Sequence, residues 1–395
     1  MTGKTTQYPK IHLAIDNCFA SKRWTRPSEW GNILADLGVH YAEASADTEI
    51  DPLYSSAEAL AEWEAEVAAL TESRGVRVAN LYSGHGTYAT LGLAHPDATV
   101  RDRIQKQWLM PMIDRAARLG AGIGFFCHAF SQDILSDAEK YPLALEDLYR
   151  RLAELAAYAA EKNVTAGVEQ MYTPHQAPWT LEGTDALLRK VYARSGAPFY
   201  ITIDTGHQIG QQKFQRPDAP KIEAAINKAQ QAGEVPPLWL GGLDASGFLR
   251  DAVAGRIEKA KAVDAMMKMV NERPWLFAKP EDGDLYAWLE RFGGHSPIIH
   301  LQQTDGNASA HRPFMEPFNS DGIVHGEKVL RAIAKAYETQ ADPALPPRCN
   351  DIYLTLEVFS STADYPDAIL ERQQKSVEYW RKFVPKDGLR LDQLL

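Results

Sequence analysis

The sequence predicts an α/β chain closed as a (β/α)8 barrel, and three observations carry that expectation. Eight short apolar runs recur along the chain, helix-like amphipathic stretches separate most of them, and no GxGxxG follows the first run. Alternating strands and helices imply βα units around a parallel sheet. Eight strands close such a sheet into a barrel. A doubly wound sheet uses the same alternation, but the missing glycine fingerprint weakens its dinucleotide-binding version.

The runs justify themselves in order. IHLAID (11–16) leads into Asp16 and Asn17, YAEAS (41–45) carries Glu43, and an amphipathic stretch follows over 57–73. RVANLYS (77–83) opens onto Ser83 and His85, and IGFFCHA (123–129) contains His128. A second amphipathic stretch, 143–162, precedes TAGVEQ (165–170) and FYITID (199–204). Then comes an interval without a convincing strand, 211–294, with helix-like pieces over 220–232 and 257–271. Within it GGLDASGFLRD (241–251) reads as a loop. PIIHLQQ (297–303) and IYLTLEV (352–358) complete the set. The expected architecture is a TIM barrel, a single domain over 1–395, with a helical and loop insertion between strands six and seven. That insertion would serve as a lid or an oligomer contact; a small second domain is the other reading.

Bulk properties narrow the partners. The 395 residues are 45% hydrophobic and 24% charged, so a large core can be buried. A net charge of −10 disfavours a nucleic-acid backbone as partner. No apolar run is long enough to span a membrane, and the N-terminal stretch lacks a signal peptide's apolar region. Cys18, Cys127 and Cys349 are three and scattered, which suits a reducing cytoplasm.

Four successive strands end in polar groups: Glu169, then Asp204 with His207 three residues on, then His300 and Gln302, then Glu357. Strand side chains alternate, so His300 and Gln302 share a face. In a barrel the carboxyl ends of all strands meet at one mouth. Such a set suits a hard or borderline divalent cation, Mn²⁺, Mg²⁺ or Co²⁺, rather than thiolate-bound zinc. Two carboxylates from separated strands, Glu169 and Glu357, suit removal of a proton from one face of a carbon and its return to another. The metal would polarise the adjacent carbonyl. His85, His128, Arg312, Lys22, Arg23, Asp16, Asn17 and Glu43 are candidates for the substrate's surroundings.

At these residues the chain resembles the xylose isomerase-like TIM-barrel superfamily of sugar isomerases, ketose 3-epimerases and hydroxypyruvate isomerase. The resemblance runs over about 10–210 and 295–380. It implies metal ligands Glu169, Asp204 of DTGH, Gln302 of HLQ and Glu357, with His300 as the alternative one pleat period away. It implies Glu169 and Glu357 as the acid/base pair and His207 as a contact to substrate oxygen. It also implies a homo-oligomer. The expected activity is metal-dependent isomerisation or epimerisation of a sugar or sugar phosphate through an enediolate. A metal-dependent lyase or dehydratase, and a non-catalytic sugar-binding barrel, remain as alternatives.

Overall fold

The computed structural model of the protein describes residues 7–20, 23–83 and 92–395. Its parallel strands are β1 (Lys10–Asp16), β2 (Tyr41–Ser45), β3 (Arg77–Tyr82), β4 (Gly122–Phe125), β5 (Ala166–Glu169), β6 (Tyr200–Asp204), β7 (Ile298–Leu301) and β8 (Asp351–Leu356). They pair in sequence order, and β1 bonds to both β2 and β8, which closes the barrel. Almost every strand residue is buried, as a sheet covered by helices outside and filled by side chains inside requires.

The helices form for local reasons. Helix Ala57–Arg74 is capped by the Ser56 hydroxyl and stops at Gly75 with φ 71°. Its Leu60, Trp63, Val67 and Leu70 recur at three- and four-residue intervals and form the buried stripe. A short β9 (Leu389–Arg390), unforeseen in the sequence, adds antiparallel to the start of β1. It is too short to show a period.

Three strands stop two or more residues before the end of their apolar runs. β4 ends at Phe125, and His128 beyond it has φ 60°, which no strand accommodates. β7 ends at Leu301, where Gln302 and Gln303 turn their amides to side-chain and loop partners. β8 ends at Leu356.

Among the described residues no strand lies between β6 and β7. Helix Leu285–Phe292 there supplies Trp288, Leu289 and Phe292 to the barrel core. Helices Ala219–Ala232, Leu243–Val253 and Lys259–Glu272 instead share a separate apolar cluster built on Ile222, Leu249 and Met266. The expected loop over 241–251 is therefore corrected to a helix. Its glycines suggested a turn, but Ala245, Leu249 and Ala252 fall on one helical face, and burying that face overrides the propensity of Gly247.

One buried clamp ties the first two βα units. Asn17 accepts from the Ser45 N–H through its amide oxygen and donates to Glu49 through its amide nitrogen. Trp63 and Trp30 donate their indole N–H to the other Glu49 oxygen at 2.8 and 3.2 Å. Burial pushes this carboxyl from 4.5 to about 8, against hydrogen bonds that favour its charge. Between those values the folded chain holds a proton that the unfolded chain has released. Stability is thus intact below the lower value and is lost as pH rises toward the upper. Urea midpoints of wild type are expected to fall more than those of Glu49→Gln between about pH 5 and about pH 8. Equal falls in both proteins would remove Glu49 as the responsible group.

Candidate active site

The carboxyl ends of β5 to β8 converge in the throat of the barrel. Glu169 is the last residue of β5 and Asp204 the last of β6; His300 points inward from β7; Gln302 and Glu357 follow β7 and β8 directly. All five are buried, between 0% and 4% exposed. Ligating atoms of Glu169, Asp204, His300 and Glu357 lie within 4.8 Å of one another.

A row of hydrogen bonds crosses this floor. Asn80 donates its amide to Glu43 at 2.6 Å, and the other Glu43 oxygen meets His300 Nε2 at 2.8 Å. His300 Nδ1 meets Glu169 Oε1 at 3.0 Å and stands 3.4 Å from Glu357 Oε2. The Tyr82 hydroxyl donates to the remaining Glu169 oxygen. Burial opposes a charge on His300, but Glu43, Glu357 and Glu169 outweigh it and raise the imidazole well above its usual range. Burial likewise raises Glu357, with His300 pulling the other way and Asp204 and Glu169 reinforcing the rise. Asp204 is the opposite case. Burial works against its charge, yet His207, His311 and His300, with the Gln302 hydrogen bond, hold it down at about 2.

The DTGH segment is folded by Asp204 itself. Its Oδ1 accepts the N–H groups of Gly206 and His207 at 2.7 and 2.9 Å, a turn that starts helix Gln208–Lys213. Thr205 stitches this turn to β7, its hydroxyl bonding the N–H and the carbonyl of Gln302 at 2.9 Å each. The Gln302 side chain then donates to both Asp204 oxygens at 2.8 and 3.0 Å. Its carbonyl oxygen accepts the His311 backbone N–H at 2.7 Å.

Above the floor lies a cavity of about 550 Å³. Glu169, His207, His311 and Glu357 line its polar part; Phe126, Met171, Tyr172 and Phe359 line its apolar part. His207 Nδ1 donates to the Gln170 carbonyl at 2.8 Å, and its Nε2 lies 3.9 Å from Asp204.

The structure brings Glu169, Asp204, His300, Gln302, Glu357 and His207 together. Other expected residues fall elsewhere. His128 packs against Phe126 beside a separate small hollow with Ser83 and Trp108. Arg312 turns away to Asp305, 3.0 Å distant, and does not line the cavity. Glu43 is fully buried beneath the site rather than walling it. His85 and Lys22 lie outside the described residues.

His311 and Phe359 were not anticipated. Their rings stack at 3.8 Å and 9°, and His311 Nε2 stands 3.5 Å from Glu357 Oε2. His311 has φ 46°, a turn geometry with no signature in the motif AHRPF. Its neighbour Arg312 drew attention only because it is charged.

A β-carbon on Gly206 would stand 2.5 Å from the Gln302 amide carbon. Gly206→Ala is expected to drive that amide off Asp204 and to lower unfolding free energy by about 1–3 kcal/mol, the usual cost of overpacking. A crystal structure of the variant with Gln302 unmoved would show that the 204–207 turn yields instead.

Comparison with known proteins agrees with this architecture. Residues 32–234 match the model of the xylose isomerase-like TIM barrel family. Over 119 residues the chain is 30% identical to D-erythrulose 1-phosphate 3-epimerase of Brucella abortus (strain 2308), a match covering 30% of this chain and 35% of that one. The chain thus spans about a third of the length of that curated relative. A Rhodospirillum rubrum protein provisionally assigned as a xylose isomerase superposes with TM-score 0.64 at 17% identity, covering 94% of this chain and 99% of that one. D-psicose 3-epimerase of Clostridium cellulolyticum H10 superposes with TM-score 0.54 at 12% identity, covering 94% and 98%. With the family model matched over half its length and a closed eight-stranded barrel, the chain belongs to the xylose isomerase-like TIM-barrel family.

Proposed function

We propose that the chain is a divalent-metal-dependent isomerase or epimerase of a sugar or sugar phosphate, with Glu169 and Glu357 exchanging a proton at the carbon beside a carbonyl. One observation carries the reading. These two carboxylates stand at the ends of β5 and β8, both line one cavity, and converge on one imidazole nitrogen at 3.0 and 3.4 Å. Mere binding of a sugar does not need two bases flanking one space.

The donor set fits a divalent cation. Three carboxylates crowd one buried point, and Glu357 Oε2 is buried without a hydrogen-bond partner among the described residues. Glu169, Asp204 and Glu357 would hold the ion, with the fourth donor from β7, and oxygen-rich ligation favours Mn²⁺, Mg²⁺ or Co²⁺. When bound, such an ion would supply positive charge to the carbonyl oxygen beside the carbon that loses its proton.

The chain's own groups do the rest. Tyr82 holds one Glu169 oxygen by its hydroxyl, which fixes the carboxylate's direction. His207 presents Nε2 to a substrate oxygen. Phe359, Tyr172 and Phe126 close the apolar part of the cavity and exclude water from the reacting carbon. The relatives' names support a ketose, free or phosphorylated.

Incubation with Mg²⁺ or Co²⁺ and a panel of ketoses and their phosphates in D₂O is expected to put deuterium beside the carbonyl, and EDTA to stop it. Proton NMR reads both the exchange and the product. A stereoisomer supports the reading; an eliminated fragment would replace it with a lyase. Glu357→Gln should slow exchange by about 10²–10⁴-fold, the usual worth of a positioned acid or base. Wild-type exchange in that variant would end the assignment.

A further inference from the structure

We infer that the fourth metal donor is Nδ1 of His300, and that Gln302 is a positioning residue for Asp204. The inference rests on the metal-dependent reading above and departs from the Gln302 ligand that the family resemblance implies.

The first ground is the direction of the Gln302 amide. Its carbonyl oxygen receives the His311 backbone N–H at 2.7 Å, and a backbone N–H can only donate. Turning the amide over would set an NH₂ group against that N–H. The NH₂ end therefore faces Asp204, bonding both carboxylate oxygens. An amide NH₂ has no lone pair to give a cation.

The second ground is how His300 is held. Nε2 meets Glu43, which Asn80 fixes in turn, at 2.8 and 2.6 Å. A carboxylate on one ring nitrogen keeps the proton there and turns the other nitrogen's lone pair outward, the arrangement that supports metal-bound histidines. That other nitrogen, Nδ1, faces Glu169 Oε1 and Glu357 Oε2. With a carboxylate against each ring nitrogen, the Nδ1 side takes a positive occupant, a metal ion or a proton. Spacing supplies the third ground. Two ligands at about 2.0–2.1 Å and at right angles stand about 3 Å apart. Nδ1 lies 3.0 and 3.4 Å from the two glutamate oxygens.

His207 and His311 also bring nitrogens near Asp204, but both line the open cavity, whereas His300 is fully buried below it. The competing occupant at Nδ1 is a proton. An imidazolium would donate to Glu43 and Glu169 together and coordinate nothing.

Mn²⁺ added to the metal-stripped full chain separates these cases. Electron spin-echo modulation detects directly bound nitrogen, and titration gives the affinity. Wild type is expected to show imidazole nitrogen coupling that survives in Gln302→Ala and disappears in His300→Gln. Glu43→Gln should keep the coupling and weaken Mn²⁺ by about 10–100-fold, as loss of an outer partner does. Bound Mn²⁺ without nitrogen coupling in wild type, or coupling that persists in His300→Gln, would overturn the inference and leave the metal-dependent reading standing. Failure of wild type to bind Mn²⁺ would overturn both. Should His300→Gln not fold, wild type with ¹⁵N-labelled histidine still decides between an imidazole donor and an all-oxygen site.

Discussion

The throat of this barrel is organised around one buried imidazole. His300 is fully enclosed and has Glu43, Glu169 and Glu357 within 2.8 to 3.4 Å of its nitrogens. Each of those carboxylates is expensive to bury alone, and their mutual repulsion adds to the cost. The imidazole is what lets them share one small volume. Its removal would leave like charges facing one another in a low dielectric, which is why the neighbouring contacts are all built to hold the ring still. Asn80 grips Glu43 from behind, Tyr82 packs edge-on to the ring at 5.0 Å, and the same tyrosine grips Glu169.

The barrel gives that imidazole its setting. Closure through β1 brings β2 across from β7, so Glu43, held by Asn80 of β3, reaches a residue more than two hundred positions away in sequence. Parallel register then places β5, β6, β7 and β8 side by side with their carboxyl ends at one level. Like-charge crowding at that level opposes folding, and the covered sheet and helix core outside it must carry the deficit.

Much of the floor is legible in the sequence because strand geometry is periodic. Glu169, Asp204 and Glu357 each terminate an apolar run, and His300 and Gln302 sit two apart, so alternation alone puts both inside. What lies between runs is not legible in this way. His311 reaches the cavity through a positive φ and matters partly through its backbone N–H, which no side-chain pattern records. Arg312 looked like an anion ligand from its charge, yet its partner is Asp305, seven residues back on the same loop. Glu43 was visible as a polar strand residue, but its depth depends on barrel closure, and from sequence it read as a wall. The helix over Leu243–Val253 was hidden by three glycines nearby, because its formation depends on helices on either side in the chain covering its face.

The division between strand and loop also divides the chemistry. The residues that would move protons stand at buried strand ends, and Glu169 is held there by Tyr82 on one oxygen and His300 on the other. The cavity's roof is different: Tyr172, His207, His311 and Phe359 come from the segments after β5, β6, β7 and β8 respectively. Loops tolerate replacement that a packed floor does not. A change of substrate within this fold should therefore run through residues such as Tyr172 and Phe359. A change at Glu43 or Asn80, though neither touches the cavity, should disturb the reaction for every substrate alike. The His311–Gln302 hydrogen bond joins the two layers, since one loop residue both faces the cavity and sets the direction of an amide that holds Asp204. The His207 N–H on Asp204 and the Ser309 hydroxyl on the Gln302 amide link the same two layers, and through these bonds the roof acts on the floor.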